Sequence, residues 1–182
     1  QVASIGAGFA ALLSLSNILG RFFWASLSDY LGRKQTYMIF FAFGAVLYAS
    51  APHAGRLGST ALFVGVFCLI LTMYGGGFAT IPAYLADKFG TQFVGAIHGR
   101  LLTAWSVAAL VGTSLVDYIR EYQLSQGIPA AQAYETTMYI LAGLLVAGFL
   151  CNLAVRPVAD RFFMTDEELA RVRAQAHETT RS

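Results

Sequence analysis

Five long stretches without a charged residue constrain this chain more than any other feature. Residues 1–20 carry no Asp, Glu, Lys or Arg, and neither do residues 35–55, 57–86, 101–116 and 136–155. The hydrocarbon core of a bilayer is about 30 Å thick and takes about 20 helical residues to cross. Inside it, backbone groups must find partners within their own segment, which favours helices. The stretch 101–116 is short, but its helix can start near Phe93 and end near Ile119. The expectation is an all-α integral membrane fold with five transmembrane helices at about 2–28, 36–51, 59–85, 94–119 and 137–155. Composition points the same way, with 57% hydrophobic and only 12% charged residues and a mean hydropathy of +0.59. Soluble domains average about 25% charged. A soluble globular domain and a disordered chain are therefore excluded. A net charge of +2 with no basic patch argues against a nucleic-acid partner.

The connections expected between spans are polar and short: Asp29–Gln35, Pro52–Gly58, Ala86–Gln92 and Arg120–Thr136. The last contains Ser125-Gln126-Gly127-Ile128-Pro129, a turn signal. Residues 156–182 are rich in Arg, Asp and Glu and read as a tail. Within it, Thr165 and Glu168 have the spacing of a helix-capping pair. Orientation follows from Lys and Arg. Arg33, Lys34, Lys88, Arg100, Arg156, Arg161, Arg171, Arg173 and Arg181 fall on one side, and only Arg56 and Arg120 on the other. The positive-inside rule puts the first set in the cytoplasm, with the C-terminus. The first helix then enters from outside. A chain that opens on Gln1 this way reads as starting at an internal position. Cys68 and Cys151 each lie in an apolar run, and no spacing suggests a metal site, a redox pair or a cofactor.

Arg21 is the most informative residue. It precedes Asp29 by eight positions, which places it about 12 Å into the membrane, near the midplane. A charge at that depth costs an estimated 2.5 kcal/mol or more, and such residues face a cavity or a partner. At about 100° per residue, Ala10, Ser14, Asn17, Arg21 and Ser28 share one face of the helix. Two readings fit. Arg21 binds an anion in a water-filled cavity, its planar fork matching a carboxylate. Alternatively, it pairs with an acid on a helix outside this chain.

A second signal is Ala25-Ser26-Leu27-Ser28-Asp29-Tyr30-Leu31-Gly32-Arg33-Lys34, between the first two spans. Gly32 permits a tight reversal. Asp29 is suited to the amide end of a neighbouring helix, and Arg33 and Lys34 to the headgroup layer. The pattern of a small residue, then Asp29, Gly32, Arg33 and Lys34 resembles the loop motif of the major facilitator superfamily, with Ala25 where Gly is usual. Gly20-Arg21-Phe22-Phe23-Trp24, Phe89-Gly90-Thr91-Gln92 and His98-Gly99-Arg100-Leu101-Leu102-Thr103-Ala104-Trp105 resemble the C-terminal half of oxalate/formate antiporter-like transporters.

The resemblance implies that the five spans are helices eight to twelve of twelve, completed by an N-terminal half of the same protein. It implies transport of small organic anions by alternating access, with Arg21 against the substrate carboxylate, and no enzymatic activity. Dianion-selective members carry a lysine in helix eleven, and here Trp105 takes that place. One cation instead of two implies monocarboxylates. The expected substrate-binding set is Arg21, Asn17, Ser14, Tyr74 and Trp105. The expected conformational loop is Asp29, Gly32, Arg33 and Lys34. The location implied is the plasma (inner) membrane. Coupling stays open between proton symport, exchange of anions and neither. Another solute of the same superfamily, or a non-transporting membrane sensor acting through residues 156–182, are the alternatives.

Three features remain ambiguous in sequence. Trp105 projects away from the polar cluster Thr103, Ser106, Thr113, Ser114 and Asp117, so it serves either the cavity or packing. Gly75-Gly76-Gly77, followed by Pro82, is either a flexible gate with Tyr74 facing the cavity or a tight packing surface. His98, at the cytoplasmic end of its helix, is read as interfacial, with proton coupling as the alternative.

Overall fold

The computed structural model describes residues 2–159, 164, 165, 168 and 170–172. Among them are five long helices: α1 (Val2–Leu31), α2 (Arg33–Arg56), α3 (Thr60–Phe89), α4 (Val94–Ser125) and α5 (Ala130–Ala154). A 3-10 turn, Thr91–Phe93, joins α3 to α4. All five are long and apolar enough to cross a membrane. The fold is all-helical, up and down.

The helices outrun the spans expected from charge. The connection placed at Asp29–Gln35 shrinks to Gly32 alone, because Asp29, Tyr30 and Leu31 stay helical and the Gly32 N–H still reaches Ser28 O at 3.0 Å. Gly32 takes φ 88°, ψ 142°, which no other residue adopts without strain, and α2 starts at the next residue. Likewise α2 runs through Pro52 to Arg56, α3 to Phe89 and α4 to Ser125, while α5 starts at Ala130, directly after Pro129. The reason is physical. A charged side chain marks where a helix leaves hydrocarbon, but the backbone ladder continues wherever φ and ψ permit. In the tail, the Thr165 N–H donates to Glu168 Oε2 (3.0 Å) and the Glu168 N–H to Thr165 Oγ1 (3.4 Å), the reciprocal capping pair. Arg161, Arg173, Arg181 and His177 lie outside the described residues.

Packing is uneven. A buried cluster of Phe40, Leu47, Ala51, Ala54, Val66, Ile70 and Met73 joins α2 to α3. Glycines bring α1 and α3 together: Gly20 lies on the Thr72 backbone, Gly75 on the Asn17 carbonyl and Gly76 on the Trp24 ring. Between α2 and α5, Gly148 receives the Phe41 ring and Gly44 the Leu145 side chain. Small residues at these crossings let van der Waals contact replace the hydrophobic drive that lipid does not supply. The glycine run of α3 is thus a packing surface in its first two members. Pro82, which lacks an N–H, breaks the ladder of α3 below them. One turn earlier, the Tyr37 hydroxyl donates to Gly77 O at 2.5 Å and ties α2 to α3 there. By contrast, α4 contains no buried residue, and Val107, Leu110, Val111 and Tyr118 on it are exposed.

Candidate functional site

The polar stripe of α1 forms as a local structure. Arg21 Nε donates to Asn17 Oδ1 at 3.3 Å, one turn away. This bond turns the guanidinium along the helix and leaves both Nη atoms without a hydrogen bond among the described residues. Ser14 does not join them. Its hydroxyl donates back to Ala10 O at 2.9 Å, the usual resting place of a helical serine. Ser14 sits seven residues from Arg21, about 10 Å along the axis.

Arg21 faces an aromatic wall on α3 and α4. Its guanidinium carbon stands 5.5 Å from the centre of the Phe78 ring, within cation–π range. Phe78 meets Trp105 edge to face at 5.1 Å, and Trp105 meets Tyr74 at 5.5 Å. The four residues form one continuous arrangement across three helices. Trp105, ambiguous in sequence, is therefore on the cavity side, tucked against α3. It points away from the α4 polar cluster because that cluster is not the face α4 turns to α3. Tyr74, Phe78 and Trp105 also line a cavity of about 370 Å³ between α2, α3, α4 and α5. Arg21 is not in its wall. It lies behind Phe78.

Phe78 is the functional candidate that sequence reasoning missed. The available signal was its spacing from Tyr74: residues four apart on a helix share a face. His98 also lines this cavity, and its Nδ1 is buried without a partner among the described residues. His98 is thus half-buried on the cavity wall. The helix carrying it begins at Val94, so His98 falls in its second turn, where α4 leans on α3.

Among the described residues no acid pairs with Arg21. The ion pairs are Arg33 with Asp29, Arg33 with Asp87 and Arg56 with Glu135. The first two belong to a second constellation, at the end of the bundle where α1 meets α2. Arg33 reaches back to Ser28 Oγ and Asp29, and its Nε lies 3.7 Å from Asp87 Oδ2 at the end of α3. Asp29 therefore pairs with Arg33 and caps no helix among the described residues. Lys34 Nζ donates to Leu153 O (3.1 Å) and Val155 O (2.6 Å), the last carbonyls of α5. A cation there offsets the negative end of the helix dipole. Asn152 Nδ2 returns a bond to Lys34 O at 3.1 Å, and Lys88 Nζ donates to Arg156 O at 2.8 Å. Arg33 and Lys34 are thus engaged with protein groups, not only with the surroundings. The loop motif fastens the ends of α1, α3 and α5 together.

Two curated relatives match the chain. It is 30% identical over 106 residues to the oxalate:formate antiporter of Oxalobacter formigenes, a match covering 57% of this chain and 25% of that protein. It is 25% identical over 161 residues to apicoplast pyruvate carrier 1 of Toxoplasma gondii, covering 86% of this chain and 27% of that protein. The chain thus spans about a quarter of the length of the relatives it matches. Both are named as transporters, not enzymes. No family model and no solved structure matches.

Proposed function

We propose that this chain, a distant homologue of major facilitator transporters, is the C-terminal part of a secondary transporter for small monocarboxylates. The observation that carries the reading is Arg21. It is a cation on an apolar helix, held by Asn17, backed by Phe78 and without an acid among the described residues. A charge near the middle of a bilayer is costly unless a partner arrives. A carboxylate supplies one, and the two free Nη atoms present the matching fork. The names of the relatives support a small carboxylate, since oxalate, formate and pyruvate all carry that group.

The transport cycle would be alternating access around a site near the midplane. The substrate carboxylate sits on Arg21, and Tyr74, Phe78 and Trp105 flank the remainder of the molecule. Ser14 lines the approach to Arg21. The Asp29–Gly32–Arg33–Lys34 constellation faces the cytoplasm and holds the ends of α1, α3 and α5 in one of the two states. The exposed surface of α4 receives helices of the missing part of the protein, and the whole lies in the plasma (inner) membrane with its C-terminus inside. The test is uptake by liposomes containing the full transporter. Saturable entry of labelled formate, pyruvate or lactate is expected. Entry of a neutral sugar or amine, with none of the acids, would overturn the reading.

A further inference from the structure

We infer that the acid favoured by this site carries an apolar group of about ring size beside its single carboxylate. The inference rests on the carboxylate role of Arg21 proposed above and deepens it. Phe78 is the hinge of the argument. One side of its ring stacks under the Arg21 guanidinium, and the ring also belongs to the wall of the 370 Å³ cavity. The contacts run from Arg21 through Phe78 to Trp105 and Tyr74, so the rest of an acid held by Arg21 would lie around the Phe78 edge, against those two rings.

The wall it meets is apolar. Aromatic rings, Leu101, Leu102, Ile81 and Leu145 make up most of it, and His98 is the one basic side chain among the lining residues, which include no Asp, Glu, Lys or Arg. The Tyr37 hydroxyl on that wall is already committed to Gly77 O. A second carboxylate, as on a dianion, would have to shed water there with no Lys or Arg to receive it and only the imidazole of His98 on the wall, which is unfavourable. A one- or two-carbon acid leaves most of the space unfilled, because the volume lies within the range of about 300–1,000 Å³ typical of small-molecule pockets. A branched alkyl or phenyl group fills it and gains both apolar burial and ring contacts.

The test is competition in liposomes containing the full transporter. Uptake of labelled pyruvate is measured against acetate, oxalate, 3-methylbutanoate and phenylacetate, with phenylacetamide as the uncharged control. The expected result is half-inhibition by 3-methylbutanoate and phenylacetate at concentrations about tenfold or more below that for acetate, weakest inhibition by oxalate and none by the amide. In Trp105→Ala, the gap between phenylacetate and acetate narrows. Equal potency of acetate and phenylacetate overturns the inference and leaves the carboxylate reading standing. Inhibition by the amide as strong as by phenylacetate overturns it too. No saturable uptake of pyruvate or of any labelled acid in the series overturns the carboxylate reading, and this inference with it.

Discussion

At the scale of single residues, Arg21 and Phe78 act together. The ring gives the guanidinium a contact that is not an ion pair, so the cation stays available. A cation–π contact at an exposed site is worth about 0.5–1 kcal/mol. Phe78→Ala is therefore expected to raise the KM for a transported carboxylate roughly twofold to fivefold with little change in maximal rate. Kinetics of uptake check this, and an unchanged KM would detach Phe78 from the site. Arg21 and Asn17 were legible in sequence as polar neighbours on one face of α1, because charge and helical spacing put them there, whereas Tyr74 entered only through one of two open readings of the glycine run. The place of Trp105 was not legible. Its direction on α4 was readable, but which neighbour α4 turns that face toward depends on packing between helices. Ser14 was legible as polar and on the right face, yet it bonds its own helix. A serine's hydroxyl can always find a local carbonyl, and no spacing rule reveals when it does.

At the scale of elements, glycine decides how closely α1 and α3 approach. A side chain at Gly75 would collide with the Asn17 carbonyl, while Gly65 on the same helix has open space around it. Gly75→Leu should destabilise the fold by about 1–3 kcal/mol, as overpacking does. Gly65→Leu should leave stability unchanged or slightly raised. Thermal unfolding in detergent distinguishes the two, and equal effects would contradict the packing described. The loop motif is the second element-scale feature. Lys34→Met removes the donor for the Leu153 and Val155 carbonyls. Faster backbone hydrogen exchange over residues 152–158 is expected, with α2 itself unaffected. No change would mean the lysine does not hold the end of α5. The number of helices and their order were legible from the uncharged stretches. Their ends were not, since charge reports the membrane boundary and not the end of backbone hydrogen bonding. The even alternatives for the glycine run separated only when the Asn17 carbonyl and the Trp24 ring were found against it.

At the scale of the whole molecule, the uneven burial is the main fact. α1, α2, α3 and α5 hold one another, and α4 rests on them with no buried residue of its own. The chain spans about a quarter of the length of its relatives, and the other side of the path is proposed to lie in the rest of the transporter. Liposomes containing this chain alone should show no saturable carboxylate flux, while the full transporter should. Flux through the chain alone would refute the two-part account. The central claim is that the Arg21 guanidinium receives the substrate carboxylate. Its most direct test compares labelled pyruvate uptake by the full transporter with that by Arg21→Gln, in samples shown to have the same helicity and thermal unfolding. The account predicts that uptake in the folded variant is abolished. Unchanged uptake would contradict it and make Arg21 a structural residue.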